Sequence, residues 1–385
     1  MKIAFIGQKG IPSISGGVEK HVEDLSTSLV KAGHEVLVYT RPNYTSKKLK
    51  NFQGVKLISL PSLGTKHLDA ISHTILACLD VIFKREVDII HFHSIGPSSL
   101  IWLVKLLKPK TPVIATYHSQ CYFHKKWGSF ARLYLKLGEF VSLKFADEVI
   151  SVSESLKNYA EEKYSRVTIC IPNGIIMPKN LKADKIKKWG LAKDNYIVAI
   201  SRLVQHKGIP YLINAYQSLD TNKKLVIVGD GAYTNDYVNF LKKLAANNKN
   251  IIFTGPQTGN TLKELFSNAY LFVQPSESEG LSIALLEAMS YSRAALISSI
   301  PENKEVIKDN NFIFKNKSVI SLTYKLKNLL DNEKIVKQAG AINKANAREN
   351  YNWLKKVKEI VNVYNQALNC KQKEVYKFRL VKIYK

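Results

Sequence analysis

Short, nearly continuous apolar runs alternate with longer amphipathic stretches along the whole chain. Runs at residues 2–6, 35–39, 55–60, 89–92, 112–116 and 148–151 are short enough for strands and apolar enough to be covered on both faces. The stretches between them carry helical spacing, which together predicts a parallel sheet wound with helices. The same rhythm restarts at residues 196–201 and continues at 224–228, 251–254, 270–273 and 294–298. The chain therefore reads as α/β, with two Rossmann-like halves. Ile171-Pro-Asn-Gly174 is a turn signal, and the lysine-rich stretch 179–188 follows it, so the hinge is expected near residues 172–192. This gives a first domain over residues 1–175 and a second over 176–350. A helix over residues 352–368 sets Trp353, Leu354, Val357, Ile360, Val361, Tyr364 and Leu368 at helical spacing and must bury that face somewhere. That segment, 351–370, is set apart from a basic tail at 371–385.

In such sheets ligands bind outside the carboxyl ends of the strands, and every polar motif of note here follows a strand. Glu287 is the only charge in Ile283-Ala-Leu-Leu-Glu287-Ala-Met289, a stretch otherwise apolar enough for a fully buried helix. A carboxylate taken out of water is normally paired, protonated or held for a ligand's hydroxyl groups. The preceding segment, Pro275-Ser-Glu-Ser-Glu279-Gly280-Leu281-Ser282, is polar and turn-forming and offers Ser282 as an N-cap. A strand, a loop with Glu279 and a helix start are expected, and such a start directs free N–H groups at an anion. Ile200-Ser-Arg202-Leu-Val-Gln-His-Lys207-Gly208 places a planar fork and a point charge in one loop after a strand, a good pair for a diphosphate. Gly7-Gln-Lys-Gly10-Ile-Pro-Ser-Ile-Ser-Gly16-Gly17-Val-Glu-Lys-His21 enters a helix near Val18, and Gly16 and Gly17 let backbone approach a phosphate or sugar closely.

Two acids seven residues apart, the first followed by Gly and the second by Ala-Met, resemble the Glu-x7-Glu signature of retaining glycosyltransferase family 4. Arg202 and Lys207 match that family's Arg-Leu-x-x-x-Lys-Gly motif, and the Gly-Gly-Val-Glu loop resembles its counterpart beside the donor phosphates. Leu281-Ser282 stands where many members carry Phe after Glu-Gly, which leaves the donor sugar open. The resemblance implies the GT-B fold, two Rossmann-like domains facing across a cleft, with the C-terminal helix crossing back to the first. It implies transfer of a sugar from a UDP-, GDP- or dTDP-sugar with retention of configuration and no required metal or other cofactor. Arg202, Lys207 and the helix start at Gly280–Ser282 would take the diphosphate charge, Glu287 the ribose hydroxyls and Glu279 those of the transferred sugar. His118, in Thr116-Tyr-His118, would position the donor sugar. The turns Gly229-Asp230 and Gly255-Pro256 would border the base and ribose.

Other readings remain. A non-catalytic nucleotide- or anionic-lipid-binding protein on the same scaffold would share this architecture. A Rossmann oxidoreductase would need a GxGxxG fingerprint, which Gly7 to Gly17 does not supply. His91-Phe-His93 suggests a metal pair at strand spacing, but no Asp, Glu or Cys ligand converges on it in the sequence, so no metal site is expected.

Composition adds one thing. With 57 Lys and Arg against 31 Asp and Glu in 385 residues, the net charge of +26 must attract polyanions. No zinc-finger spacing, RNP-like strand or basic arm points to specific nucleic-acid recognition. The tail interleaves cations with Val, Tyr, Phe, Leu and Ile, which suits either an anionic membrane surface or an ordinary solvated tail. Four scattered cysteines and no signal-peptide core suggest a cytoplasmic protein, peripheral on the inner face of the membrane if the tail binds there. A glycan or lipid-linked acceptor in cell-surface polysaccharide, lipopolysaccharide or glycolipid assembly would fit.

Overall fold

The computed structural model describes residues 1–65, 68–123, 128–231 and 235–383. It divides into two compact units, Met1–Gly174 with Trp353–Lys385, and Ile175–Asn352.

The first unit is built on β1 (Lys2–Ile6), β2 (Glu35–Thr40), β3 (Asn51–Phe52), β4 (Val55–Ser59), β5 (Ile89–His93), β6 (Val113–Tyr117), β7 (Glu148–Ser151) and β8 (Ile169–Cys170). Its helices are α1 (Gly17–Lys31), α2 (Leu68–Phe83), α3 (Ile95–Ser98), α4 (Ile101–Leu107), α5 (Ser129–Phe145) and α6 (Glu154–Tyr164). The second unit holds β9 (Tyr196–Ile200), β10 (Lys224–Val228), β11 (Ile251–Gly255), β12 (Leu271–Gln274), β13 (Ala294–Ser298) and β14 (Ile313–Phe314). Around them lie α7 (Ile209–Gln217), α8 (Asn235–Ala245), α9 (Gly259–Asn268), α10 (Ile283–Ser290), α11 (Pro301–Val306), α12 (Val319–Asp331) and α13 (Glu333–Asn350). The last helix, α14 (Trp353–Ile383), belongs to the first unit.

The strand orders are β3-β4-β2-β1-β5-β6-β7-β8 and β11-β10-β9-β12-β13-β14. All pairings are parallel except the short β3–β4 hairpin. Both sheets are α/β and doubly wound, and their central strands are buried on both faces, which is why the sequence shows continuous apolar runs rather than alternation. In each sheet the order reverses once, between β1 and β5 and between β9 and β12. Right-handed crossovers put α1 on one side of the first sheet and α2, α4 and α5 on the other.

The helix expected to end near residue 368 continues to Ile383, so the segment set apart as a tail is helical as far as it is described; residues 384–385 lie outside the described residues. The physical reason is visible at its foot. Trp353, Val357, Ile360, Tyr364 and Ala367 join the core of β1, β2 and α1, and Lys371 meets Asp147 at 3.2 Å, so the helix is fixed by packing beyond the point where the apolar pattern stops. Among the described residues, no helix is long and apolar enough to cross a membrane.

At the start of α2, Asp69 accepts hydrogen bonds from Arg41 (2.8 Å), Ser62 (2.6 Å) and Asn43 (3.3 Å). One turn on, His73 is fully buried, and burial followed by the Arg41 charge lowers its pKa from 6.5 to about 4. The unfolded chain takes up that proton near pH 6.5 and the folded chain only near 4. The stability His73 confers is therefore complete above pH 6.5 and is lost as pH falls towards 4. His73→Leu should flatten the pH dependence of the unfolding free energy across that window by up to one proton, ~1.4 kcal/mol per pH unit. Urea titrations at a series of pH values would check this; an unchanged slope would mean that His73 is protonated in the fold.

Candidate functional site

A crevice forms at the carboxyl edge of a doubly wound sheet where helices leave in opposite directions. The polar motifs of both units collect at these reversal points.

In the first unit, β1 ends at Gly7 (φ +119°), where a Cβ would lie 2.1 Å from the carbonyl oxygen of His93 at the end of β5. Only glycine lets the two strand ends close up. Gly16 caps α1 with φ +102° and Gly17 opens the helix. The loop between is tied to the protein's own side chains. The amides of Lys9 and Ser13 donate to Glu19 (3.2 Å) and Glu23 (2.5 Å), and those of Ile14 and Ser15 to the Tyr44 hydroxyl (2.7 and 2.9 Å). The loop is thus less open to a phosphate than its glycines suggest, because two carboxylates already occupy its donors. The amides of Gly17 and Val18, at the start of α1, remain without a partner among the described residues.

Beyond β6, His118 is buried among other imidazoles. His93 Nδ1 lies 3.1 Å from His118 Nε2, and His21, on α1, is held by Asn173 (2.9 Å) with its ring edge-on to His118 at 4.7 Å. His91 sits between Tyr364 and Thr116, both at 2.7 Å. Burial holds His21 at about 4, and burial with the neighbouring imidazoles holds His91, His93 and His118 well below 6.5. All four are neutral at ordinary pH and act as hydrogen-bonding groups. One nitrogen each of His21, His93 and His118 falls within 4.8 Å of the others, a set able to hold a metal ion, and Nε2 of His21 and of His93 has no hydrogen-bond partner among the described residues. In the sequence no acid or cysteine converges on His91 and His93. The convergent groups are instead two histidines, one arriving from α1 and one from the adjacent strand β6.

In the second unit, the loop after β9 carries Arg202 and Lys207, and the loop after the adjacent β12 carries Glu279. Lys207 Nζ and Glu279 Oε1 meet at 2.5 Å, both nearly buried. A backbone bond from Glu277 N to His206 O (2.7 Å) joins the same two loops. Gly208, at φ +66°, allows the contact, since a Cβ there would lie 1.9 Å from the Pro275 carbonyl oxygen. The Arg202 guanidinium is half-buried with no hydrogen-bond or carboxylate partner among the described residues. Ser282 caps α10 by accepting from the Leu285 amide at 3.3 Å, behind the buried Gly280 and Leu281. The amides of Ile283 and Ala284, at the helix start, have no partner among the described residues. Gly229-Asp230 follows β10, and Gly255-Pro256 closes β11.

Glu287 departs from expectation. The sequence places it in a fully buried helix, yet it is half-exposed, together with Ala284 one turn earlier. The other residues of α10 are buried, so these two mark the strip of the helix that reaches solvent. Glu302, in the first turn of α11 beyond β13, was not singled out. Its pKa is pushed up to about 7, first by burial and then by the charges of Glu279 and Glu305. Its signal was present, an acid opening a helix directly after an apolar run, as was that of His21, inside the glycine loop's own helix.

Comparison with known proteins bears on both units. Residues 15–177 match the model described as Glycosyltransferase Family 4, and residues 182–349 match Glycosyl transferases group 1. An uncharacterized glycosyltransferase of Methanocaldococcus jannaschii is 29% identical over 96% of this chain and 99% of its own. The alpha-monoglucosyldiacylglycerol synthase of Streptococcus pneumoniae is 26% identical over 81% of this chain and 74% of its own. Among solved structures, the Anabaena protein Alr3699/HepE, crystallised with UDP-glucose, superimposes with a TM-score of 0.79 at 17% identity, covering 95% of this chain and 100% of that one.

The Gly208 contact can be tested directly. Gly208→Ala should destabilise the second unit by roughly 3 kcal/mol, combining left-handed strain with a backbone collision. Gly259→Ala, at φ +58° with nothing within 4 Å, should cost only ~1 kcal/mol. Equal losses in urea unfolding would show that the two loops are free to separate.

Proposed function

With both of its units matched, the chain is a glycosyltransferase of family 4 with the GT-B fold, and we propose that it transfers a sugar from a nucleoside diphosphate sugar with retention of configuration. The observation that carries this reading is the convergence of Arg202, Lys207, Glu279 and the capped start of α10 at the strand reversal of the second unit.

Breaking a bond between sugar and phosphate develops positive charge at the anomeric carbon and negative charge on the departing diphosphate. Arg202 has no competing partner among the described residues and offers a fork to the diphosphate. The first amides of α10 add the positive end of the helix dipole. Lys207 is held by Glu279 before donor arrives. A diphosphate reaching Lys207 would share that cation and leave Glu279 an acceptor for the hydroxyls of the transferred sugar, so donor entry and sugar recognition are coupled. Glu287, on the solvent-reaching strip of α10, accepts from the ribose hydroxyls. His118, neutral in its cluster, orients the donor sugar by hydrogen bonding, and no protein nucleophile is invoked. The leaving phosphate itself takes the proton of the attacking acceptor, on the face from which it departs.

That Alr3699/HepE was solved with UDP-glucose supports a nucleotide-sugar donor, and the name of the pneumococcal relative supports a glycolipid-type acceptor. We place the protein at the cytoplasmic face of the cell membrane, acting on a lipid-linked or glycan acceptor in cell-surface assembly.

Thermal unfolding against UDP-, GDP- and dTDP-sugars without added metal tests this, since a ligand of the native state raises the midpoint by mass action. One donor should stabilise the wild type. Glu287→Ala and Lys207→Ala should each weaken that donor roughly ten- to a hundredfold, the loss of one charged hydrogen bond, with each variant's unliganded midpoint as its reference. Stabilisation by NAD and by no sugar nucleotide would overturn the reading, and inversion at the anomeric carbon in the product's NMR spectrum would overturn retention.

A further inference from the structure

The outward face of α5 does not look like a helix facing water. Phe130 is 85% exposed, Leu133 67%, Leu137 53% and Phe140 44%, and their spacing sets them along one side of the helix. Its inward side is also apolar, through the buried Leu135, Val141 and Leu143. A helix apolar on both sides is ordinarily covered on both. The neighbouring α4, which touches α5 on the same side of the sheet, adds Trp102 (47%) and Leu106 (68%). Contiguous exposure of this kind marks an interaction surface.

The charges of α5 say what covers it. Arg132, Lys136 and Lys144 are all exposed. The only carboxylate of the helix, Glu139, is completely buried, accepting from the hydroxyls of Tyr117, Tyr122 (3.2 Å), Tyr159 (3.4 Å) and Tyr164 (2.7 Å). That cage fixes the rotation of α5 and removes its one negative charge from the surface. What remains outward is apolar side chains interleaved with cations. A second copy of this chain meeting the same face would set these cations against their own duplicates. A nucleic acid would leave the phenylalanines and leucines unpaired. An anionic bilayer satisfies both, taking the apolar side chains into the acyl boundary and the cations among its phosphates.

We propose that α5, with the adjoining Trp102 and Leu106 of α4, is the surface by which this protein lies on an anionic leaflet. This rests on the membrane-surface reading above and gives it a location other than the C-terminal segment.

Sedimentation of the full chain with phosphatidylcholine vesicles, with and without phosphatidylglycerol, tests it at low salt. The wild type should bind only the anionic vesicles. Arg132→Gln/Lys136→Gln/Lys144→Gln should bind on the order of a hundredfold more weakly, at about fivefold per cation. Leu133→Gln/Leu137→Gln/Phe140→Gln should lose roughly tenfold or more through the apolar contribution alone. Truncation after Cys370 should bind as the wild type does. Both triple variants change exposed positions only, and each should keep the wild-type unfolding midpoint and its shift with donor sugar. Wild-type binding by the two triple variants, with loss in the truncation, would overturn the assignment while leaving membrane binding intact. Indifference of the wild type to anionic vesicles would remove the membrane itself, and a wild-type dimer that the leucine variant dissociates would give the face to a second copy. The donor-dependent shift reads the transferase site separately in every case.

Discussion

Both candidate sites of this protein hang on one constraint, the single reversal of strand order in each parallel sheet. Strands buried on both faces have no free surface along their length, so chemistry is pushed to their carboxyl ends. There, consecutive strands usually send their connections the same way, and only at the reversal do two neighbouring ends stand uncovered. β1 and β5 bring the glycine loop to His93, and β9 and β12 bring Lys207 to Glu279. The closeness of those loops is a matter of missing side-chain atoms. Gly7 and Gly208 sit against carbonyl oxygens of the neighbouring strand or loop at distances no Cβ could share.

A second theme is where the acids go. There are 31 against 57 bases, so each acid turned inward makes the surface still more basic. Glu139 is enclosed by tyrosines, Asp69 anchors α2, Glu264 receives the amides of Asp184 and Ile186, and Glu19 and Glu23 receive those of the glycine loop. These carboxylates serve as internal hydrogen-bond acceptors. The exposed charge is consequently cationic where α5 presents itself, and Arg202 has no opposing acid among the described residues. The same chain thus has a basic exterior and, in the one loop after β9, two cations, of which Lys207 is paired with Glu279.

Much of this was legible in one sequence. The two β/α rhythms follow from apolar runs that only doubly covered strands need, and Ser282 shows as a cap because a hydroxyl ahead of an apolar helical stretch has few other uses. Arg202, Lys207 and Glu279 were readable as post-strand residues because strand ends are local features. Short edge strands such as β3, β8 and β14 escaped because two residues carry no period.

What the sequence could not determine were the pairings that depend on rotation and on distance along the chain. Glu287 reads as buried because its neighbours are, but which residue of a short helix faces outward is settled by the packing of α10 against its sheet, and that strip falls on Ala284 and Glu287. His21, His93 and His118 are far apart in sequence and meet only because β1 lies beside β5 and β5 beside β6. The outward apolar face of α5 was equally hidden, since its spacing is that of any core helix until the sheet claims one side and the tyrosine cage fixes the turn. Periodicity along the chain decides what forms locally, and only the packed sheet decides which side of each element meets water.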